Sequence, residues 1–165
     1  MKKTSPKFVL IPASTYIDPD TIINGEFIIG ENCSIGSGSM IFTRDNMVMV
    51  GRNVSIGKNV NVEAYGKGRK TFIGNNTRIG DGAKVLNACI ADNVQISKNV
   101  TVMKNCYISE NSILNYGVII APNSVVEVGQ VCKSNTIYSG NPAVAIGKIS
   151  MRMNDRIDDV FDKAL

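Results

Sequence analysis

An aliphatic residue returns at every sixth position along most of this chain, and few folds tolerate that period. Ile17, Ile23, Ile29, Ile35 and Ile41 are spaced by six, as are Val50, Ile56 and Val62, and then Ile73, Ile79 and Val85. The longest series is Ile90, Ile96, Val102, Ile108, Leu114, Ile120 and Val126. A helix of about 3.6 residues per turn drifts off this repeat within two turns, and a two-faced strand gives no reason for a turn residue every six.

Two further positions of the hexad are restricted. Four residues after the later aliphatics stand Val94, Val100, Cys106, Ser112, Val118 and Ser124, none larger than valine. Asn32, Asn53, Asn59, Asn93, Asn99, Asn105 and Asn111 occupy a third position, where a tight corner needs a residue that tolerates left-handed backbone at low cost. A coil of three short strands per turn explains all three positions at once. The expected fold is therefore all-β: a single-stranded parallel β-helix of about six rungs, each pairing with the next at ~4.8 Å.

The chain is long enough for one domain over residues 1–165. The repeat divides it into an N-terminal cap (1–16), the coil (17–131), a turn and linker (132–149) and a short C-terminal α-helix (150–165). That helix is expected because Met153, Ile157, Val160, Phe161 and Ala164 recur at helical spacing. Aromatic residues make up only 6% of the chain and Trp is absent, so the interior must be filled by Ile, Val and small side chains.

The net charge of +4 is spread along the chain rather than clustered, which argues against a nucleic-acid footprint. The four cysteines form no CxxC pair and no apolar leader follows "MKKTSPK", so a cytoplasmic protein with reduced thiols is expected. No apolar run reaches the ~18 residues of a membrane span.

Interruptions of a solenoid repeat project from it and often carry function. The spacing is nine between Ile41 and Val50, eleven between Val62 and Ile73, and five between Val85 and Ile90. Arg44 and Asp45 in the first break, and Tyr65, Lys67, Arg69 and Lys70 in the second, are the candidate partner-contact residues. The basic loop suits an acidic partner, and a solvated loop is the plainer alternative.

The hexads "IGENCS", "IGSGSM" and "IGKNVN" resemble those of the hexapeptide-repeat families, which implies a left-handed coil. Within that group, "VLNACIADNVQISKNVTVMKNCYISENSILNYGVIIAP" over residues 85–122, followed by "IYSGNPA", is similar to the dynactin pointed-end proteins, above all the subunit-five family. That resemblance implies a non-catalytic docking subunit, cytoplasmic and cytoskeleton-associated. Its partners would be another β-helix subunit, an actin-related protein and cargo adaptors for dynein.

Residues 41–143 also resemble γ-class carbonic anhydrases, with "TRD" where that family has an Arg-Gly-Asp turn and "SGNPA" at the close. The family's three metal-binding histidines fall on Glu63, Asp81 and Leu86, and its glutamine on Gly57. Leu86 cannot ligate zinc, so this resemblance implies the scaffold without the metal site. The chain contains no histidine at all, and hexapeptide acyltransferases commonly use one as general base. The expectation is a non-enzyme with no catalytic residues, cofactor or metal. The alternative is a carbonic-anhydrase-like or acyltransferase-like homotrimer, with a carboxylate as the only available base.

Overall fold

The computed structural model describes residues 8–67 and 70–149. They form a parallel β-solenoid of seven turns with three faces. The first face stacks Tyr16–Ile17, Ser34–Ile35, Ser55–Ile56, Arg78–Ile79, Gln95–Ile96, Ile113–Leu114 and Val131–Cys132. The second stacks residues 22–24, residues 40–44, Asn61–Tyr65, Lys84–Leu86, Thr101–Val102, Ile119–Ile120 and Thr136–Ser139. The third stacks Val9–Leu10, residues 26–29, residues 47–50, Thr71–Ile73, Cys89–Ile90, Tyr107–Ile108 and Val125–Val126. The second and third faces form one 13-stranded sheet, because strands Ile22–Ile29 and Met40–Val50 stay extended around their common corner.

The six-residue period places every aliphatic of the later series inside, with Ile90, Val102, Ile108, Leu114, Ile120 and Val126 fully buried. The small position sits against a corner, where Val94, Val100, Cys106, Ser112, Val118 and Ser124 are likewise buried. At several of these positions a hydroxyl or thiol donates to the carbonyl that follows the inward aliphatic one turn on, whereas Ser124 Oγ accepts the Gly140 N–H at 3.1 Å. Ser39 Oγ donates to Gly57 O at 2.8 Å, Thr77 Oγ1 to Ala91 O at 3.1 Å, Cys106 Sγ to Ala121 O at 3.0 Å and Ser112 Oγ to Glu127 O at 2.9 Å. A polar residue is thus tolerated in the core because it has a partner there.

The third residue after the aliphatic turns each corner in the left-handed region. Asn32, Asn53, Asn59, Asn76, Asn93, Asn99, Asn105 and Asn111 have φ between 55° and 61°. The glycine that so often follows the aliphatic has a different cause. A Cβ on Gly36 would lie 2.7 Å from the Gly57 carbonyl oxygen of the next turn, so only hydrogen fits between the stacked backbones.

The coil is longer than the expected six rungs, and it does not end at Val126. Cys132 and Tyr138 continue the spacing of six and are buried at the inward position. Tyr138 is the aromatic residue of this series. Its ring is buried in the core of the last turn while its hydroxyl accepts the Lys133 backbone N–H at 2.8 Å. Residues 132–149 are accordingly not a bare linker: strand Val144–Lys148 pairs antiparallel with Thr136–Ser139. The expected C-terminal helix lies outside the described residues. No helix among the described residues is long and apolar enough to cross a membrane.

Candidate functional site

The three interruptions of the repeat stack on one corner, between the second and third faces, in three successive turns. Elsewhere the corners follow the hexad closely, so this is where the solenoid departs from a smooth prism. Strand pairing dictates the arrangement: Arg44 lies opposite Tyr65, and Glu63 opposite Leu86. In the turn below, Gly25 takes φ 111° with Thr43 packed against its Cα, and Glu26 N–H bonds to Thr43 Oγ1 at 2.7 Å.

Two clefts open there. One of about 390 Å³ lies between residues 24–26 and residues 42–46, with Glu26, Arg44 and Asp45 on its walls. The other, of about 270 Å³, is bounded by Glu26, Asp45, Asn46, Met47, Lys67 and Lys70. Asp45 has φ 54°, which turns the backbone at the height of the first insertion. Of the six residues singled out in the sequence, Arg44, Asp45, Tyr65, Lys67 and Lys70 gather on this corner, all exposed. Arg69 lies outside the described residues.

The base of the basic loop is fixed by hydrogen bonds. Gly66 N–H donates to Arg44 O at 2.8 Å, and Asn46 Nδ2 reaches Tyr65 O at 3.5 Å. Asn87, where the repeat shortens to five, bonds to both backbone groups of Tyr65. The Tyr65 and Phe42 rings lie 5.5 Å apart at 44°. Burial, together with a hydrogen bond to Glu63 and its negative charge, raises the Tyr65 phenol above its ordinary pKa. Asn61 Nδ2 donates to Glu63 Oε1 at 3.0 Å, while its own Oδ1 is buried with no partner.

Glu26, Phe42, Asn46 and Asn87 join the site without having been singled out in the sequence. The five-residue spacing after Val85 was the available sign for Asn87, because it falls on the same corner as the insertions. The positions where γ-class carbonic anhydrases carry histidine behave differently here. Glu63 is held by Asn61, whereas Asp81 accepts the Lys58 backbone N–H at 2.9 Å and so serves a corner. Among the described residues, no three carboxylate, cysteine or histidine side chains come together as a metal cluster would require.

Residues 8–43 match the profile of the bacterial transferase hexapeptide family (six repeats). No curated protein sequence matches the chain significantly. Among solved structures, the chain is similar to a hexapeptide transferase family protein from Anaplasma phagocytophilum, at 20% identity over 94% of this chain and 86% of that one, with TM-score 0.47. It is also similar to UDP-N-acetylglucosamine O-acyltransferase (LpxA) from Moraxella catarrhalis, at 17% identity over 97% and 81%, with TM-score 0.48.

A mutant perosamine N-acetyltransferase from Caulobacter crescentus, in complex with CoA and GDP-perosamine, shares 15% identity over 86% of this chain. This chain spans 58% of that enzyme's length, with TM-score 0.53, a likeness of fold. Nothing in these comparisons supports the dynactin resemblance of residues 85–122. What the profile and the acetyltransferase fold share with this chain is the hexapeptide-repeat β-helix.

Proposed function

We infer that this chain is a left-handed hexapeptide-repeat β-helix of the acyltransferase type, working as a homotrimer without the usual catalytic histidine or zinc site. The observation that carries the reading is the stacking of three interruptions on one corner, which supplies a cleft and functional groups on an otherwise regular prism. The hexapeptide profile over residues 8–43 and the fold shared with the perosamine N-acetyltransferase support it.

The chemistry of the corner suits an acyl thioester whose carrier bears phosphate. Lys67 and Lys70 at the cleft provide positive charge for an anionic carrier. Asp45, exposed on the walls of both clefts, is the carboxylate placed to serve as base. In the proposed transfer, Asp45 takes the proton of an acceptor hydroxyl or amine. The acceptor atom then bonds to the acyl carbon, the carbon–sulfur bond breaks, and the departing thiolate is protonated.

Two measurements test this together. Calorimetry with CoA and acetyl-CoA should show binding that weakens when Lys67 and Lys70 are replaced by Ala. Transfer to a panel of amino sugars should be lost in Asp45→Asn. A protein that binds neither thiol nor thioester, and instead recovers an actin-related or second β-helix protein in a pull-down, would be a docking subunit and would sink the enzymatic reading. Stoichiometric zinc in the purified protein would overturn the statement that the metal site is gone.

A further inference from the structure

We propose that the preferred acceptor of the transfer is an amine that also carries a carboxylate, as an α-amino acid does. Arg44 binds its carboxylate, and Asp45 and Glu26 bind its amine. The proposal rests on the acyl-transfer reading of this corner and goes on to the substrate class that its charges select.

Strand pairing builds the site. Asn24 pairs with Phe42 and Glu26 with Met47, so between these pairs the lower turn has Gly25 alone and the upper turn has Thr43, Arg44, Asp45 and Asn46. The surplus residues leave the prism as an overhang. Its root is fixed, because Thr43 is buried against Gly25, where a Cβ would lie 2.6 Å from the Thr43 carbonyl oxygen. From the turn above, Tyr65 pairs with Arg44 and holds the overhang out. The cleft of about 390 Å³ opens beneath it, within the ~300–1,000 Å³ usual for small-molecule pockets.

The charged groups follow an order along the corner. Arg44 lines only the larger cleft, Lys67 and Lys70 only the smaller, and Glu26 and Asp45 stand on the walls of both. Among the described residues, Glu26, Arg44 and Asp45 take part in no ion pair, so their charges are open to a ligand. A ligand set complementary to this order is negative, then positive, then negative. The anionic acyl carrier at Lys67 and Lys70 supplies one negative end, and the acceptor must supply the ammonium and the other. A neutral amino sugar leaves Arg44 without a partner, whereas a carboxylate meets its guanidinium through two parallel hydrogen bonds. Phe42, whose ring lies 5.5 Å from that of Tyr65, gives the acceptor's own side chain an apolar wall.

The acceptor binds as a zwitterion and gives one ammonium proton to water. The amine nitrogen then bonds to the acyl carbon while Asp45 takes a second proton from it. The carbon–sulfur bond breaks, and the departing thiolate takes that proton from Asp45.

Acetyl transfer from acetyl-CoA to a panel of L-amino acids, to their carboxamides and to neutral amino sugars tests this on the full chain. At least one amino acid should be used about 10- to 100-fold better in kcat/KM than its carboxamide, the range expected of a charge-assisted hydrogen-bonded pair. Arg44→Gln should erase that ratio, and Arg44→Lys should keep part of it. Where Arg44→Gln misfolds, the wild-type and Arg44→Lys ratios decide. Equal use of acid and carboxamide overturns the proposal, as do neutral amino sugars used better than every amino acid. So does a ratio that survives Arg44→Gln and disappears when Lys67 and Lys70 are replaced by Ala.

Calorimetry with the amino acids alone separates this proposal from the reading it rests on. Amino-acid binding that needs Arg44, in a protein that binds no acetyl-CoA, keeps the zwitterion site and removes the transfer. Transfer from acetyl-CoA to neutral amines only does the reverse, and a protein that binds neither removes both.

Discussion

Asn87 and Tyr65, one turn apart in the coil, bond to each other twice: Tyr65 N–H donates to Asn87 Oδ1 at 3.1 Å, and Asn87 Nδ2 donates to Tyr65 O at 2.9 Å. The pair closes the base of the basic loop just before it leaves the prism. Asn87 itself has φ 45°, so it must also turn the chain where the repeat loses a residue. Asn87→Ala removes both bonds and puts alanine in a left-handed conformation that asparagine tolerates better. The expected cost is about 1–3 kcal/mol in chemical denaturation, and trypsin should cleave at Lys67 and Lys70 faster than in wild type.

Glycine after the inward aliphatic is required by stacking rather than by the dihedral angle. A Cβ on Gly36 meets Gly57 O at 2.7 Å, and one on Gly30 meets Gly51 O at 2.5 Å. Gly36→Ala should therefore push two turns apart and lower stability by about 1–3 kcal/mol, even though alanine usually restricts the unfolded chain favourably. A thermal melt equal to or above wild type would show that the turns have slack at this point.

The middle of the coil should be its least forgiving part, since each turn is held by the turns on either side. Ile108 is fully buried, between Ile90 and Val126 in the stack. Ile108→Ala should cost about 2–5 kcal/mol and Ile108→Val about 0.5–1.5 kcal/mol in urea unfolding. The same truncation at Ile17, which lies in the first full turn and is only partly buried, should cost less.

The four thiols should differ in reactivity. Burial pushes the Cys132 thiol up to about 12 from its ordinary 9.0. With Cys33 and Cys106 also buried, a thiol reagent should label Cys89 in the native protein and the other three only on unfolding. The folded chain holds Cys132 as the neutral thiol, while the unfolded chain ionises at lower pH. Its contribution to stability is therefore complete below pH 9 and is lost as pH rises from there toward 12. Stability measured across that window should fall less steeply in Cys132→Val than in wild type.

Most of the scaffold was legible in the sequence because its constraint is local and repeats: each hexad needs one large aliphatic inside, one small residue and one corner residue. Tyr138 was not legible as an inward residue, since every inward hexad position from Ile90 to Val126 is aliphatic. Nor was the stacking of Ile28, Met49, Phe72 and Cys89 on the third face. Ile28 and Met49 are 21 residues apart, Met49 and Phe72 are 23, and Phe72 and Cys89 are 17, so no constant period marks them. The insertions that shift these spacings fall on a corner, where the register slips between Asn24 and Glu26, and the inward positions pair again beyond it.

The candidate site divides along the same line. The sequence located both insertions and their residues Arg44, Asp45, Tyr65, Lys67 and Lys70. Glu26 and Asn87 joined them only through the pairing of successive turns.

The sequence by itself determined a three-faced coil with aliphatics inside and asparagine at its corners, because inward packing and left-handed corners each restrict residue type at a fixed spacing. The tertiary structure decided which faces and which insertions coincide. That depends on backbone hydrogen bonds between turns, and these align residues 17 to 23 positions apart whatever their side chains are.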